Sequence, residues 1–328
     1  MTGEMADDSL PEAAAPPLEP PPRRTRRRAL LGLAALLAVG LLLYYPIGMI
    51  WVHKIDDDPA FSAGEVAPGA SRAVALAAAL VEREVDRHRW TANDPFFLPG
   101  WALDNMPNFQ QGIIAALSRF AVEMIDQLGR TRGTGQADPD LERAAGLLKY
   151  PGTVWVFDFS VSWTPTATSE KQYRSARRAL LDYNRRLAAG QAVFERRADN
   201  LLATLDRVAA DLGSASASLD GHIQENAGAL IDLRADDIFY GVKGRLYAYA
   251  LLLRELGADY EQVIAERDLQ AVWAQMLDSM AAAAALQPWV VVNGSPDGQV
   301  LPSHLAAQGF FLLRARTQLR EITNILLK

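Results

Sequence analysis

Three hydrophobic regimes run along the chain. From Ala29 to Val52 there are 24 residues without a formal charge, most of them Leu, Ala or Gly. As a helix rising 1.5 Å per residue, this run exceeds the roughly 30 Å hydrocarbon layer of a bilayer. After residue 70, apolar positions recur at spacings of three and four, the period of helices packed on one face. Helices are predicted over Ser71–Trp90, Pro107–Leu128 and, capped by Asp138 with Pro139 at its first position, up to Lys149. A seam through Tyr173, Leu180, Leu187, Phe194, Leu205 and Leu212 predicts one long helix from Ser169 to Leu212. Two consecutive steps of four (Tyr183 to Leu187 to Gln191) form a stutter beside Gly190, where a local bend is expected; so long a helix either packs against another long helix or is broken there. A Ser/Ala-rich turn and a further helix are expected over 213–226. Further helices are expected from Asp236 or Asp237 to Leu256, stopped by Gly257, then over Tyr260–Leu286 and Ser303–Leu327.

The third regime has period two. In Thr153–Trp163 the residues Trp155, Phe157, Phe159, Val161 and Trp163 alternate with polar or small neighbours, which predicts a strand. Trp289–Val292 and Gln299–Leu301 flank an Asn-Gly-Ser-Pro-Asp-Gly turn and read as a strand pair. The fold class expected is therefore mainly α: one N-terminal transmembrane helix plus a helical domain with a long helix and a small β element.

Charge orients the apolar run. Arg23, Arg24, Arg26, Arg27 and Arg28 precede it, and Asp56, Asp57 and Asp58 lie shortly after it. Arginine-rich flanks stay cytoplasmic, so the remainder is expected on the far side, the periplasm in a bacterium. The run is too long for a signal-peptide core and is read as an uncleaved anchor. Residues 1–28, Pro- and Ala-rich and then basic, read as a disordered cytoplasmic tail, 29–52 as the transmembrane helix, 53–70 as a linker and 71–328 as a mainly helical periplasmic domain.

Composition removes several chemistries. There are no cysteines, so disulfides, thiolate metal sites and thiol nucleophiles are excluded. The net charge of −6 argues against nucleic acid as a partner. None of the four histidines pairs with another at helical spacing, and no nucleophile elbow or phosphate-binding glycine loop occurs. No catalytic residue, metal or cofactor is expected on these grounds.

Two stretches share a layout. Asp104-Asn105-Met106, Gly112, Leu128-Gly129 and Pro151 correspond to Asp236-Asp237-Ile238, Gly244, Leu256-Gly257 and Pro288, at offsets of 132, 132, 128 and 137. The domain is therefore expected to hold two related halves, about 71–165 and 200–328, whose strands meet in one small sheet.

Several short segments carry a resemblance: Pro99-Gly-Trp101 with Asp104-Asn-Met-Pro107, Arg197-Ala-Asp-Asn-Leu201, Asp236-Asp-Ile-Phe-Tyr240, Asn293-Gly294, and Ser303-His304. In this order and spacing they resemble a proteobacterial family of single-pass membrane proteins known as domain of unknown function 2333. The resemblance covers most of the chain after the linker. It implies placement in a bacterial inner membrane and no particular mechanism. The residues matching its motifs are the candidates for binding: Asp104, Asn105, Asp236, Asp237, Tyr240, Asn293 and His304. Helix capping and buried hydrogen bonds offer a structural account of the same residues. The expected partners are membrane lipid through residues 29–52 and an unknown envelope protein or glycan. The role expected is a membrane-anchored, non-enzymatic binding or scaffold module. The alternative is an enzyme acting on lipid or cell-wall material, with Asp104, Asp236 and His304 as acid–base groups.

Overall fold

The computed structural model describes residues 23–132, 137–157, 163–226, 232–294 and 302–328. The chain divides into two compact units, Met1–Pro46 and Ile47–Lys328. The first holds most of helix α1 (Arg23–Val52), which begins within the stretch expected to be tail; residues 1–22 lie outside the described residues. The most apolar 18-residue stretch within Arg27–Val52 has a mean hydropathy of 2.2, and none of it is buried. Among the described residues this is the one helix long and apolar enough to cross a membrane. Pro46 lies inside it, as spanning helices tolerate.

The second unit is built on helices around one apolar core. They are α2 (Arg72–Glu82), α3 (Asn105–Arg132), α4 (Pro139–Leu148), α5 (Ser169–Ala188), α6 (Ala198–Glu225), α7 (Leu233–Asp259), the short α8 (Glu261–Glu266), α9 (Gln270–Ala284) and α10 (His304–Leu326). Helix α7 is the axis: α3 lies along it, α2 and α9 pack beside it, and α10 joins α9 to α6. Ser71 ties three helices at one point. Its hydroxyl caps α2 through the Val74 N–H and donates to Asp259 at 2.7 Å, while its backbone exchanges hydrogen bonds with the Asn184 side chain of α5.

Close backbone approach fixes the α3–α7 crossing. A Cβ on Gly112 would run into the Gly241 carbonyl, and one on Gly244 into the Phe109 carbonyl. The offset of 132 that relates Gly112 to Gly244 also relates Phe109 to Gly241, so the two contacts are reciprocal.

Several expectations are corrected, and one alternative is decided. Of the two alternatives for the long helix, the break at its stutter is the one observed. Gly190 adopts φ +70°, the Gln191 N–H reaches the Arg186 carbonyl and the Gly190 N–H that of Leu187, closing α5 in a Schellman motif. Helix α6 then runs unbroken past Gly213 to Glu225, where a turn before a further helix was expected; Gly213 makes room for the Arg316 side chain of α10. The expected helix over Tyr260–Leu286 divides into α8 and α9 at Asp268, whose φ of +51° is one an aspartate tolerates better than most side chains. Gly257 does not end α7: it sits inside the helix, where a Cβ would press on the Trp273 indole.

The β element is corrected as well. Among the described residues there is no β-strand, only a single bridge between Asn293 and Ser303. Of the expected strands, residues 158–162 and 299–301 lie outside the described residues. Around Trp155 the backbone finds local partners: the carbonyls of Val154 and Val156 accept from Ser169 and Thr166 in the approach to α5. Alternating aromatics signal a buried face only when a neighbouring strand supplies the ladder, and among the described residues none does. The expected sheet joining two halves falls with them.

Residues 53–70 contain no helix and are fastened to the second unit. The Lys243 ammonium, with no exposed surface, lies 2.6 Å from Asp57 and donates to the Leu286 carbonyl at 2.7 Å. Arg83, almost fully buried, pairs with Glu84 and Asp56 and stacks on Phe61 and Tyr247. Tyr247 in turn donates to the Asp58 carbonyl.

Candidate functional site

Crossing of α3 and α7 brings their N-terminal ends together, and with them four of the seven candidates. Asp104 precedes α3 and accepts from the Asn105 N–H at 2.9 Å. Asp236 and Asp237 lie in the opening turns of α7. Asp232, not Asp236 or Asp237, caps that helix, through the Arg234 N–H, so capping does not explain the two later aspartates. Oxygens of Asp104, Asp236 and Asp237 all lie within 4.8 Å of one another. The Asn108 amide donates to Asp237 at 2.6 Å. With its amide nitrogen turned toward the carboxylates, Asn105 reaches Asp104 at 3.2 Å and Asp236 at 3.0 Å. One oxygen of Asp236 is buried without a hydrogen bond among the described residues.

Burial, and then the charges of Asp104 and Asp237, push the Asp236 carboxyl above the ordinary carboxylate range. Asp237 shifts the same way through burial and Asp104, against the opposing Asn108 hydrogen bond. Tyr240, one turn along α7, is raised by burial and by the nearby Asp236, Asp57 and Asp104. The group can share a proton between carboxylates, and its oxygens are of the type that hard divalent cations take.

The other two candidates stand in a second cluster. Asn293 donates to Asp232 at 3.3 Å, and Asp232 accepts from the buried His222 at 2.7 Å. Burial alone would raise the Asp232 carboxyl, but the His222 and Asn293 hydrogen bonds outweigh it and the net shift is downward. His304 opens α10; its Nδ1 accepts the Val292 N–H at 2.9 Å, and burial lowers its pKa. Among the described residues, no hydrogen bond or ion pair joins His304 to the three carboxylates.

Inspection of the candidates alone overlooks Asp57, Lys243, Arg83, His222 and Asp232. For Lys243 the signal exists: it stands four residues after Phe239 and three and four before Leu246 and Tyr247, a cation on the buried stripe of its helix. For His222 and Asp232 no spacing marks the pair, because the residues meet only when α6 and α7 fold together.

Residues 27–233 match the family described as uncharacterized protein conserved in bacteria (DUF2333), and the chain belongs to that family. No curated protein matches the chain, and no solved structure does.

Proposed function

We propose that this member of the family is a single-pass envelope protein, anchored in the bacterial inner membrane by α1 with its N-terminus in the cytoplasm. Its helical unit lies in the periplasm and works by binding an envelope protein or glycan. The observation that carries the reading is the apolar helix Arg27–Val52, solvent-exposed where a core helix would be covered. Five arginines before the uncharged run and three aspartates after it support the orientation. The binding role draws support from the way the buried charges are used. Lys243, Arg83 and His222 each hold a structural partner, and His304 is engaged by backbone.

A reporter active only outside the cytoplasm, fused after Lys328, is expected to be active; activity of a cytoplasmic reporter alone overturns the orientation. Recovery of a soluble product beginning near Ile55 would show that α1 is a cleaved signal rather than an anchor. Crosslinking in intact cells is expected to capture a reproducible envelope partner.

The second reading, an enzyme acting on lipid or cell-wall material, is favoured by one observation: the convergence of Asp104 and Asp236 with Asp237. Asp236→Asn and His304→Gln variants separate the two. Stable, inserted proteins that keep their cellular function support binding, and complete loss of function moves the enzyme reading ahead.

A further inference from the structure

The loop leading into α3 displays aromatic side chains. Phe96 is 68% exposed, Trp101 61% and Phe97 47%, and Phe157, from the loop before α5, is 44% exposed. The rings form a run across both loops. Phe96 meets Phe97 at 5.4 Å, Phe97 meets Trp155 at 5.6 Å, and Trp155 meets Phe157 at 5.8 Å. The loops beneath are fixed. Asn93 donates to the Val154 carbonyl at 2.8 Å, Trp90 to the Gly152 carbonyl at 2.7 Å, and Arg89 pairs with Asp94 at 2.7 Å. Each ring offers roughly 150–250 Å² of contact surface, and a contiguous apolar patch of this kind on a folded domain marks an interaction surface.

Its position says what covers it. Pro99, between Phe97 and Trp101, packs on Gly48 in the last turns of α1, occupying the space a Cβ there would need. Trp51, 75% exposed, is three residues further along the helix, and just beyond its end the Lys54 N–H contacts the Met106 sulfur at 3.1 Å. The loop therefore stands at the aromatic end of the apolar helix, the level at which Trp and Tyr favour the bilayer–water interface.

We propose that Phe96, Phe97, Trp101, Trp155 and Phe157 rest in the headgroup layer of the bilayer that α1 spans, seating the helical unit on the lipid surface. This rests on the anchoring reading above. Asp104, three residues after Trp101, makes the rim acidic, so ring insertion rather than attraction to anionic lipid carries the contact. The contact is accordingly insensitive to salt, unlike polybasic attachment.

Absence of cysteine allows a clean test. Full-length protein carrying one nitroxide, at Phe96→Cys, Trp101→Cys, Leu37→Cys or Ala265→Cys, is reconstituted in phosphatidylethanolamine vesicles with a minor fraction of phosphatidylglycerol. From Asp236, beside Asp104, α7 runs to Asp259, roughly 35 Å at 1.5 Å per residue, and Ala265 lies beyond it in α8. Collision rates with oxygen and with a water-soluble nickel chelate are compared. The labels at 37, 96 and 101 are expected to favour oxygen several-fold over the label at 265, in low and high salt alike. If position 37 reports lipid while 96 and 101 report water, the aromatic contact is wrong and the anchor stands. Positions 96 and 101 shielded from both reagents would mean a protein contact, and also overturn the proposal. If position 37 itself reports water, the anchoring reading fails and the aromatic contact with it.

Discussion

Lys243 on α7 and Asp57, five residues beyond the end of α1, form a charge pair at 2.6 Å whose cation has no contact with solvent. They are separated by 186 positions in sequence. Gln287 adds a further hydrogen bond to Asp57 at 2.8 Å. Burial raises the Asp57 carboxyl, but Gln287 and Lys243 more than compensate and hold it below its ordinary value.

Removing one member of such a pair strands the other charge. Asp57→Ala is expected to cost about 3–5 kcal/mol of stability, measured by urea unfolding of the detergent-solubilised chain. Lys243→Met combined with Asp57→Ala should recover most of that loss, since a buried pair replaced by apolar groups is close to neutral. A double variant no better than Asp57→Ala alone would show that the loss arises from the loop rather than from the stranded ammonium.

The reciprocal contacts at the α3–α7 crossing predict the next result. Gly244→Ala places a methyl group against the Phe109 carbonyl, and Gly112→Ala one against the Gly241 carbonyl. Neither obstacle is a side chain that can rotate away. Each substitution is expected to destabilise by about 1–3 kcal/mol, although alanine is the better helix former. The same change at Gly146 of α4, where no heavy atom stands within 4 Å of an added Cβ, should stabilise slightly. Thermal unfolding of the three variants checks the order.

Stability should depend on pH with two opposite signs. The raised carboxyls of Asp236 and Asp237 bind protons in the folded state before they do in the unfolded chain. Their repulsion is therefore relieved as pH falls from neutral through their folded pKa values, and stability rises there. The depressed carboxyls of Asp57 and Asp232 contribute stability above their unfolded pKa, about 4, and lose it as pH falls through their lower folded values. Asp236→Asn should remove much of the mildly acidic gain and leave the strongly acidic loss. A denaturation profile whose mildly acidic limb is unchanged by Asp236→Asn contradicts this account.

At Gly190, φ is +70° and an added Cβ meets no heavy atom within 4 Å. Gly190→Ala should cost about 1 kcal/mol from backbone conformation alone, and Gly190→Asn less, since asparagine tolerates the left-handed region. Equal melting temperatures for the two variants would rule out the conformational explanation.

Periodicity alone determined the apolar helix, the helical character of the chain after residue 70, the Asp138–Pro139 start of α4 and the stutter at which α5 ends. These depend on neighbours within a few residues, which is where hydrophobic period, capping and charge act. Glycine shows where that reach stops. Gly190 ends a helix because of its backbone angle, whereas Gly213 and Gly257 sit inside helices because Arg316 and Trp273 press on them. Sequence presents all three alike, since a missing Cβ serves a turn and a close contact equally. Aromatic alternation likewise could not reveal that the described backbone around Trp155 would find local partners instead of a ladder. The candidate residues were legible as an inventory but not as an arrangement. The meeting of Asp104 with Asp236 and Asp237, and the withdrawal of Asn293 and His304 into a separate cluster, were decided by how α3 and α10 pack around α7. The carboxylate cluster and the Asn293–Asp232 hydrogen bond join residues more than 50 positions apart, and only the folded chain fixes them.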